Sequence, residues 1–253
     1  MRHQIDLFLC AVQFLTRIPV PANPRFEAGW ITRAARYYPL VGQGVGLLCA
    51  GVLLLAGMVW HGWVPALLAV TVGVLVTGAF HEDGLADTAD GLGGGQDAGQ
   101  RLAIMKDSRI GSYGALALGL CLAIKVAVLS ALTPLVAAWL LVAAHGGGRA
   151  AAVLAMSFMR HVSDPASAKY KPTADGVRPG EVAFALLVAL WPLAWLAPVQ
   201  AAQAVALGAL FALILAMAAR RLIGGYTGDV LGGIEQVFEL GFLLGGTALV
   251  VWR

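Results

Sequence analysis

Three aspartates, Asp83, Asp87 and Asp90, stand at i, i+4 and i+7 in the string GAFHEDGLADTADGLGGG. On a helix that spacing puts all three carboxylates on one face. Like charges about 6 Å apart repel by roughly 3 kcal/mol per pair at an effective dielectric near 20. Three of them beside an apolar segment must be neutralised, either by protonation or by a bound divalent cation. Hard oxygen ligands on a flexible segment suit Mg²⁺, Ca²⁺ or Mn²⁺. A solvated acidic loop is the competing reading. The helical phasing weighs against it, as do Gly84 and Gly91, which let a ligand approach the backbone. His81 reads equally well as an interfacial histidine bonded to backbone or as a catalytic or substrate-contacting residue.

Basic and hydroxyl groups follow in QRLAIMKDSRIGSYGALAL. Arg101, Lys106 and Arg109 present cations, and Ser108 and Ser112 present hydroxyls. Arginine forks onto phosphate oxygens, and lysine supplies a point charge. Gly111-Ser112-Tyr113-Gly114 opens an apolar run, and the free N–H groups of a helix N-terminus attract phosphate. Topological charge bias alone explains basic residues in this loop, but not their interleaving with Asp107 and Ser108 beside a carboxylate cluster. A third piece, LIGGYTGDVLGGIEQ, sets Thr227 and Asp229 just before another apolar run. Asp229 reads equally as a helix cap or as a metal or substrate ligand.

These groups sit in a chain that calls for lipid as its solvent. Of 253 residues, 59% are hydrophobic and 12% charged, with mean hydropathy +0.80. A soluble domain carries about a quarter charged residues. Seven runs approach the roughly 20 apolar residues that a spanning helix needs: 37–60, 63–80, 111–132, 134–159, 182–197, 199–219 and 234–252. The predicted fold is an all-α, polytopic transmembrane helix bundle of about seven spans in one domain over residues 1–253. An amphipathic N-terminal helix precedes it, lying at the interface and ending before Pro19. The segment His145-Gly146-Gly147-Gly148-Arg149 predicts a break or kink in the fourth run. Lys125 and Arg149 fall inside runs, where charge is costly and is paired or functional. Arg149 lies about 16 Å along a continuous helix from Arg160, within reach of a cytoplasmic cavity.

Charge placement sets the orientation. Arg2, Arg17, Arg25, Arg33 and Arg36 precede the first run. Arg101, Lys106 and Arg109, then Arg160, Lys169, Lys171 and Arg178, then Arg220 and Arg221 occupy alternate connectors. The opposite connectors, His61-Gly62, Thr133 and Pro198, hold no lysine or arginine. The positive-inside rule puts the N-terminus and the three longer loops in the cytoplasm. The acids follow: Glu82, Asp83, Asp87, Asp90, Asp97 and Asp107, then Asp164, Asp175 and Glu181, then Asp229 and Glu235. The basic residues lie at segment ends and form no stripe, which argues against nucleic-acid binding. Cys10, Cys49 and Cys121 each lie in an apolar run without ligand spacing and read as buried packing thiols.

The strings FLTRIPVP, YYPLVG, HEDGLADTADG, RLAIMKDSRIGSYG and GGYTGDVLGG, in this order, resemble the cobalamin-5′-phosphate synthase (adenosylcobinamide-GDP ribazoletransferase) family, from about Phe14 to the last run. The resemblance implies a prokaryotic inner-membrane enzyme that uses Mg²⁺, with its active site on the cytoplasmic face. Its implied activity joins adenosylcobinamide-GDP to α-ribazole, or its 5′-phosphate, with release of GMP. A ribose hydroxyl must then attack the cobinamide-side phosphorus of a pyrophosphate, chemistry that needs cations across the phosphates. On this reading Asp83, Asp87 and Asp90 hold Mg²⁺, unless one of them, Asp87 or Asp90, instead takes the nucleophile's proton. Lys106 and Arg109, helped by Arg101, hold the pyrophosphate. Ser108, Arg149, Thr227 and Asp229 are further substrate contacts, Asp229 alternatively a metal ligand. Two other readings compete. CDP-alcohol phosphotransferases also space aspartates on a membrane helix, but Ala86-Asp87 stands where their pattern has Ala-Arg. A secondary transporter would place its binding groups at mid-membrane, whereas most polar residues here lie at one edge.

Overall fold

The structure, a computed structural model, describes residues 2–21, 27, 29–162 and 176–248. Arg25, Asp164, Lys169, Lys171, Asp175 and the far end of the seventh apolar run lie outside the described residues. The described chain is helical, without a named strand; one isolated bridge pairs His161 with Tyr226. The helices are α1 (Arg2–Leu15), α2 (Trp30–Ala34), α3 (Tyr38–Gly57), α4 (Val64–Thr77), α5 (Phe80–Gly94), α6 (Ala98–Met105), α7 (Ser112–Ser130), α8 (Pro134–Phe158), α9 (Pro179–Leu190), α10 (Pro198–Ile223) and α11 (Gly228–Thr247). Short 3₁₀ turns join α2 to α3 and extend α9.

Four helical stretches are long and apolar enough to cross a membrane: Trp30–Gly57, Ser112–Ser130, Pro134–Phe158 and Pro198–Ile223. The α4–α5 pair makes a fifth if counted as one broken span. Of the other two predicted runs, 182–197 is the short α9 with its 3₁₀ extension, and 234–252 belongs to α11, which carries Asp229, Glu235 and Glu239. Leu55, Leu75, Leu116, Leu187 and Leu213 remain exposed on the outer helix faces. Such surface is expected where the surrounding medium is acyl chain and burial against protein gains little.

The predicted break in the fourth run is absent, since α8 continues through His145–Arg149. Its glycines serve close packing. A Cβ at Gly146 would meet the Gln43 side chain at 2.8 Å, and one at Gly148 would meet Glu235 Cγ at 2.9 Å. Small residues let helix backbones approach without the helix unwinding. α3 packs along α8, and α11 runs through the middle of the bundle against α5, α7, α8 and α10. Leu140, Ile234, Phe242 and Leu243 form part of the resulting core. The N-terminal helix α1 ends at Leu15, ahead of Pro19 as predicted, and buries Leu7, Cys10, Ala11 and Leu15. All three cysteines are buried and unbridged.

The connectors predicted to share one side are joined to one another. Arg36 Nη2 lies 2.6 Å from Glu181 Oε1. The Arg17 amide donates to the Val76 carbonyl at 2.7 Å. The Val162 amide donates to the Tyr226 carbonyl at 2.8 Å, and Tyr226 returns a bond to Arg160 at 2.9 Å. These links tie the end of α4, the start of α9, the end of α8 and the α10–α11 turn to a common end of the bundle.

Candidate active site

The aspartate helix leaves α4 at 90°. Two consecutive left-handed residues make that corner. Gly78 has φ +68° and Ala79 has φ +59°, the one non-glycine residue with positive φ among the described residues. Glycine accepts this geometry freely, whereas alanine costs about 1–2 kcal/mol. Two bonds close the corner, from the Gly78 amide to Leu75 O at 3.2 Å and from the Ala79 amide to Val74 O at 2.8 Å. They answer α4's last free carbonyls. The chain then restarts as α5, a helix with four acids in its first eleven residues, which lies across the bundle end and is not itself a span.

α5 crosses α11 at a point with no room for a side chain. A Cβ on Gly84 would stand 2.8 Å from the Asp229 carbonyl and 3.2 Å from Gly232 Cα. This contact brings the start of α11 against the aspartate face of α5. Asp83 is exposed, Asp87 half-buried and Asp229 half-buried. The Asp87 carboxyl is pushed up to about 7, first by burial and then by the charges of Asp83, Asp229 and Asp90. Asp229 is likewise raised, mainly by burial and in part by Asp83. Uncompensated negative charge thus collects where α5 meets α11.

Asp90 differs from its two neighbours on α5. One of its oxygens accepts from the Gly111 amide at 2.7 Å and the other from the Gly114 amide at 2.9 Å. It is the anion seated on the N-terminus of α7, a site that attracts carboxylate and phosphate alike. The N–H groups read from the sequence as a phosphate cradle are therefore taken by the protein's own side chain. Thr227 caps α11: its Oγ1 accepts from the Val230 amide at 3.2 Å and also lies 3.3 Å from Asp229 Oδ2. Of the two readings of Asp229 the cap is excluded, because Thr227 holds the cap position and Asp229 stands in the first turn.

The basic loop lies at the same end. Arg109 donates to Asp107 through Nη2 at 2.6 Å and Nε at 3.0 Å, with its side chain 87% exposed. Those hydrogen bonds hold the Asp107 carboxyl down at about 2. Lys106 and Ser108 are exposed. Arg101 is half-buried, and a Cβ on Gly95 would stand 2.5 Å from its Cγ.

Arg149 lies elsewhere. It is 1% exposed, and its Nη1 stands 2.9 Å from Glu235 Oε1 and 3.7 Å from Glu239 Oε1. Around it runs a buried chain of charges. His81 Nε2 lies 2.9 Å from Glu235 Oε2, and His145 Nδ1 lies 2.8 Å from Glu239 Oε1. Lys125 Nζ donates to Glu239 Oε2 at 2.6 Å and Gln236 Oε1 at 2.7 Å. Gln236 Nε2 donates to Glu82 Oε1 at 3.0 Å. Sequence reasoning flagged Lys125 and Arg149 as charges needing partners. It missed Glu82, His145, Gln236 and Glu239 as those partners. The available signal was Glu235 and Glu239, four residues apart inside an apolar helix and therefore on one face.

Among the described residues no three His, Cys, Asp or Glu side chains converge as a ready-made metal cage. Asp83, Asp87 and Asp229 nevertheless suit Mg²⁺. Their oxygens are hard donors, their mutual repulsion is relieved by a cation, and Mg²⁺ is ordinarily held by one or two carboxylates together with substrate phosphates and water.

Comparison with known proteins gives the family. A family model described as cobalamin-5-phosphate synthase matches residues 7–247. Proteins named adenosylcobinamide-GDP ribazoletransferase are similar over nearly their full length. The one from Leptothrix cholodnii is 43% identical over 97% of this chain and 96% of its own. That from Shewanella frigidimarina is 42% identical over 94% and 92%, and that from Vibrio cholerae 41% over 95% and 92%. No solved structure matches. With the family model covering all but the two ends and these relatives aligning along almost the whole chain, the protein belongs to the cobalamin-5-phosphate synthase family.

Proposed function

We propose that this membrane protein transfers the cobinamide-phosphate moiety of adenosylcobinamide-GDP to α-ribazole or its 5′-phosphate, releasing GMP, with Mg²⁺ on the aspartate cluster at the cytoplasmic face of the inner membrane. The observation that carries the proposal is the gathering of Asp83, Asp87 and Asp229 where α5 crosses α11, with Asp87 raised to about 7 by burial and then by its acidic neighbours. Such a surplus of negative charge suits a reaction whose substrates bring phosphates and a cation together. The names of the relatives, adenosylcobinamide-GDP ribazoletransferase, support this choice of substrates.

Mg²⁺, when bound, would supply positive charge against the negative charge that develops as GMP leaves. Asp83 and Asp87 would hold it, joined by Asp229 from α11. Asp90, on the same face, steadies α5 by gripping the start of α7 through both oxygens. That leaves Asp87, rather than Asp90, as the carboxylate with oxygen to spare for the nucleophile's proton. The ribose hydroxyl forms the new O–P bond at the cobinamide-side phosphorus. Its proton passes to Asp87, and the P–O bond to the GMP oxygen breaks with its electron pair on GMP. Lys106 and Arg109, with Arg101 behind them, would stabilise the phosphates, and Ser108 and Thr227 would add hydroxyl contacts. Arg149, enclosed among Glu235 and Glu239, would act through the position of α11.

The test is a purified-protein assay with cobinamide-GDP and α-ribazole, with and without Mg²⁺, that follows the joined product and GMP together. Metal-dependent formation of both in equal amounts is the expected result. CMP release from a CDP-alcohol, or metal-independent turnover, would refute the assignment.

A further inference from the structure

On the side of α11 remote from the charged chain, the bundle is open. α8 and α10 both run toward the end that carries the aspartates, and between them lies an apolar groove of about 440 Å³, roofed by α9. Ile234, Phe238 and Phe242 of α11 form its floor. Its volume is in the range of sites that hold small apolar ligands. Its lining extends from Ala143 to Phe158 on one flank and from Val205 to Arg220 on the other, sixteen residues each. At 1.5 Å per residue the groove runs about 22 Å along the helices, longer than the roughly 15 Å hydrocarbon depth of one leaflet.

The lining is apolar except at its mouth, where Arg220 stands in the last turn of α10 with Arg221 beside it, both exposed. A wall without donors cannot hold ordered water. Nor would it suit a strongly polar substrate. An acyl chain in the groove and a phosphate on Arg220 satisfy both parts at once. α8 and α10 are among the helices able to span a membrane, so their outer faces meet lipid as a matter of course.

We propose that the α8–α9–α10 groove is a binding site for one anionic phospholipid of the leaflet nearest the aspartates, with a chain over Phe238 and the headgroup phosphate on Arg220. The lipid fills the space that α8 and α10 leave above α11, and so supports the helix whose first turn carries Asp229.

The proposal is tested by native mass spectrometry of the full chain in mild detergent. The protein is titrated separately with phosphatidylglycerol and with phosphatidylcholine of identical chains. Wild-type protein should retain one phosphatidylglycerol in preference to phosphatidylcholine by about fivefold, the value of one arginine near an anionic headgroup. Arg220→Gln should bring the two lipids together. Ala209→Trp puts an indole into the groove from an exposed lining position and should lose the retained lipid. Leu210→Trp, on the exposed outer face, should keep it. Equal retention by wild type and Ala209→Trp would make the bound lipid a general annular one and overturn the proposal. So would a dimer mass that Ala209→Trp abolishes, because a second copy would then be the occupant. Displacement of the lipid by α-ribazole 5′-phosphate would give the groove to substrate, with the same consequence.

Discussion

Two clusters of charge lie about α5, and they are opposites. At the bundle end Asp83, Asp87 and Asp229 set like charges together with, among the described residues, no cation in a side-chain pair with them. Inside the bundle Glu235 and Glu239 are matched by Lys125, Arg149 and two histidines at distances of 2.6–2.9 Å, and Glu82 accepts from the Gln236 amide at 3.0 Å. Both clusters use adjacent residues of the same helix, since His81 and Glu82 face inward while Asp83 and Asp87 face out. Compensated charge links α5, α7, α8 and α11 and serves architecture. Uncompensated charge awaits a partner from solution. It is the second kind to which the proposed chemistry is assigned.

The largest effect should come from breaking the open cluster. Asp83→Asn or Asp87→Asn is expected to lower GMP release by about 10²–10³-fold or more, as loss of a group aimed at developing charge does. The same variants should insert and melt like wild type, or slightly higher, because a repulsion has been removed. If they failed to accumulate as monodisperse protein, the open cluster would be architectural too, and the contrast would collapse.

The closed cluster should respond in the reverse sense. Glu239→Ala leaves Lys125 and His145 buried without their carboxylate, and breaking such a pair costs about 3–5 kcal/mol. The expected outcome is a lower melting temperature and poor yield in detergent. Activity should be lost only in proportion to the folded fraction. Glu239→Gln, which keeps a polar partner, should be milder. Normal stability in Glu239→Ala with selective loss of turnover would move this network into the reaction.

What the sequence disclosed of these clusters follows from the range of the interactions. The spacing of Asp83, Asp87 and Asp90 is local, so their shared helix face was legible before any coordinates. The apolar runs were legible for the same reason, as was the end of α1 before Pro19. The corner at Gly78-Ala79 was not. Glycine hints at it, but nothing in an alanine announces a left-handed backbone, which is imposed by the packing on either side. Asp90's role was hidden because its partners, Gly111 and Gly114, lie more than twenty residues away. The closed cluster was least legible, since Lys125 meets Glu239 across 114 residues and Glu82 meets Gln236 across 154. Isolated charges in apolar runs signalled that partners must exist without saying which. The glycines of His145–Arg149 misled in the other direction, because a run of glycine signals both a breakable helix and a closely packed one.

The helix crossing that joins the two clusters gives the next test. Gly84→Ala forces a methyl group to 2.8 Å from the Asp229 carbonyl, and overpacking of this kind costs about 1–3 kcal/mol. Moving α11 away from α5 separates Asp229 from Asp87. Activity should therefore fall by more than the loss of stability explains, with the requirement for Mg²⁺ rising, as a metal titration of the surviving activity would show. An unchanged metal requirement would remove Asp229 from the cation's neighbourhood.

The smallest effect sharpens the comparison at its edge. Arg109 and Asp107 are a matched pair, like those of the closed cluster, but they lie in water at the open end. Exposure makes such pairs worth little to stability. The sign of the pH linkage agrees. Asp107 titrates at about 2 in the folded protein, below its ordinary carboxylate value near 3.9. Any stability it lends is thus complete above that ordinary value and is lost only as the pH falls toward 2. Arg109→Ala should accordingly leave the melting temperature unchanged between pH 5 and 8, while the Asp107 carboxyl carbon in NMR titrates at a more ordinary pH. Turnover then decides what the pair is for. If Arg109 exchanges Asp107 for a substrate phosphate, Arg109→Ala raises KM for cobinamide-GDP with stability intact, and Asp107→Asn lowers it by releasing the guanidinium. If both variants match wild type in KM, Arg109 is a solvated topological charge, and the phosphate contacts fall to Lys106 and Arg101.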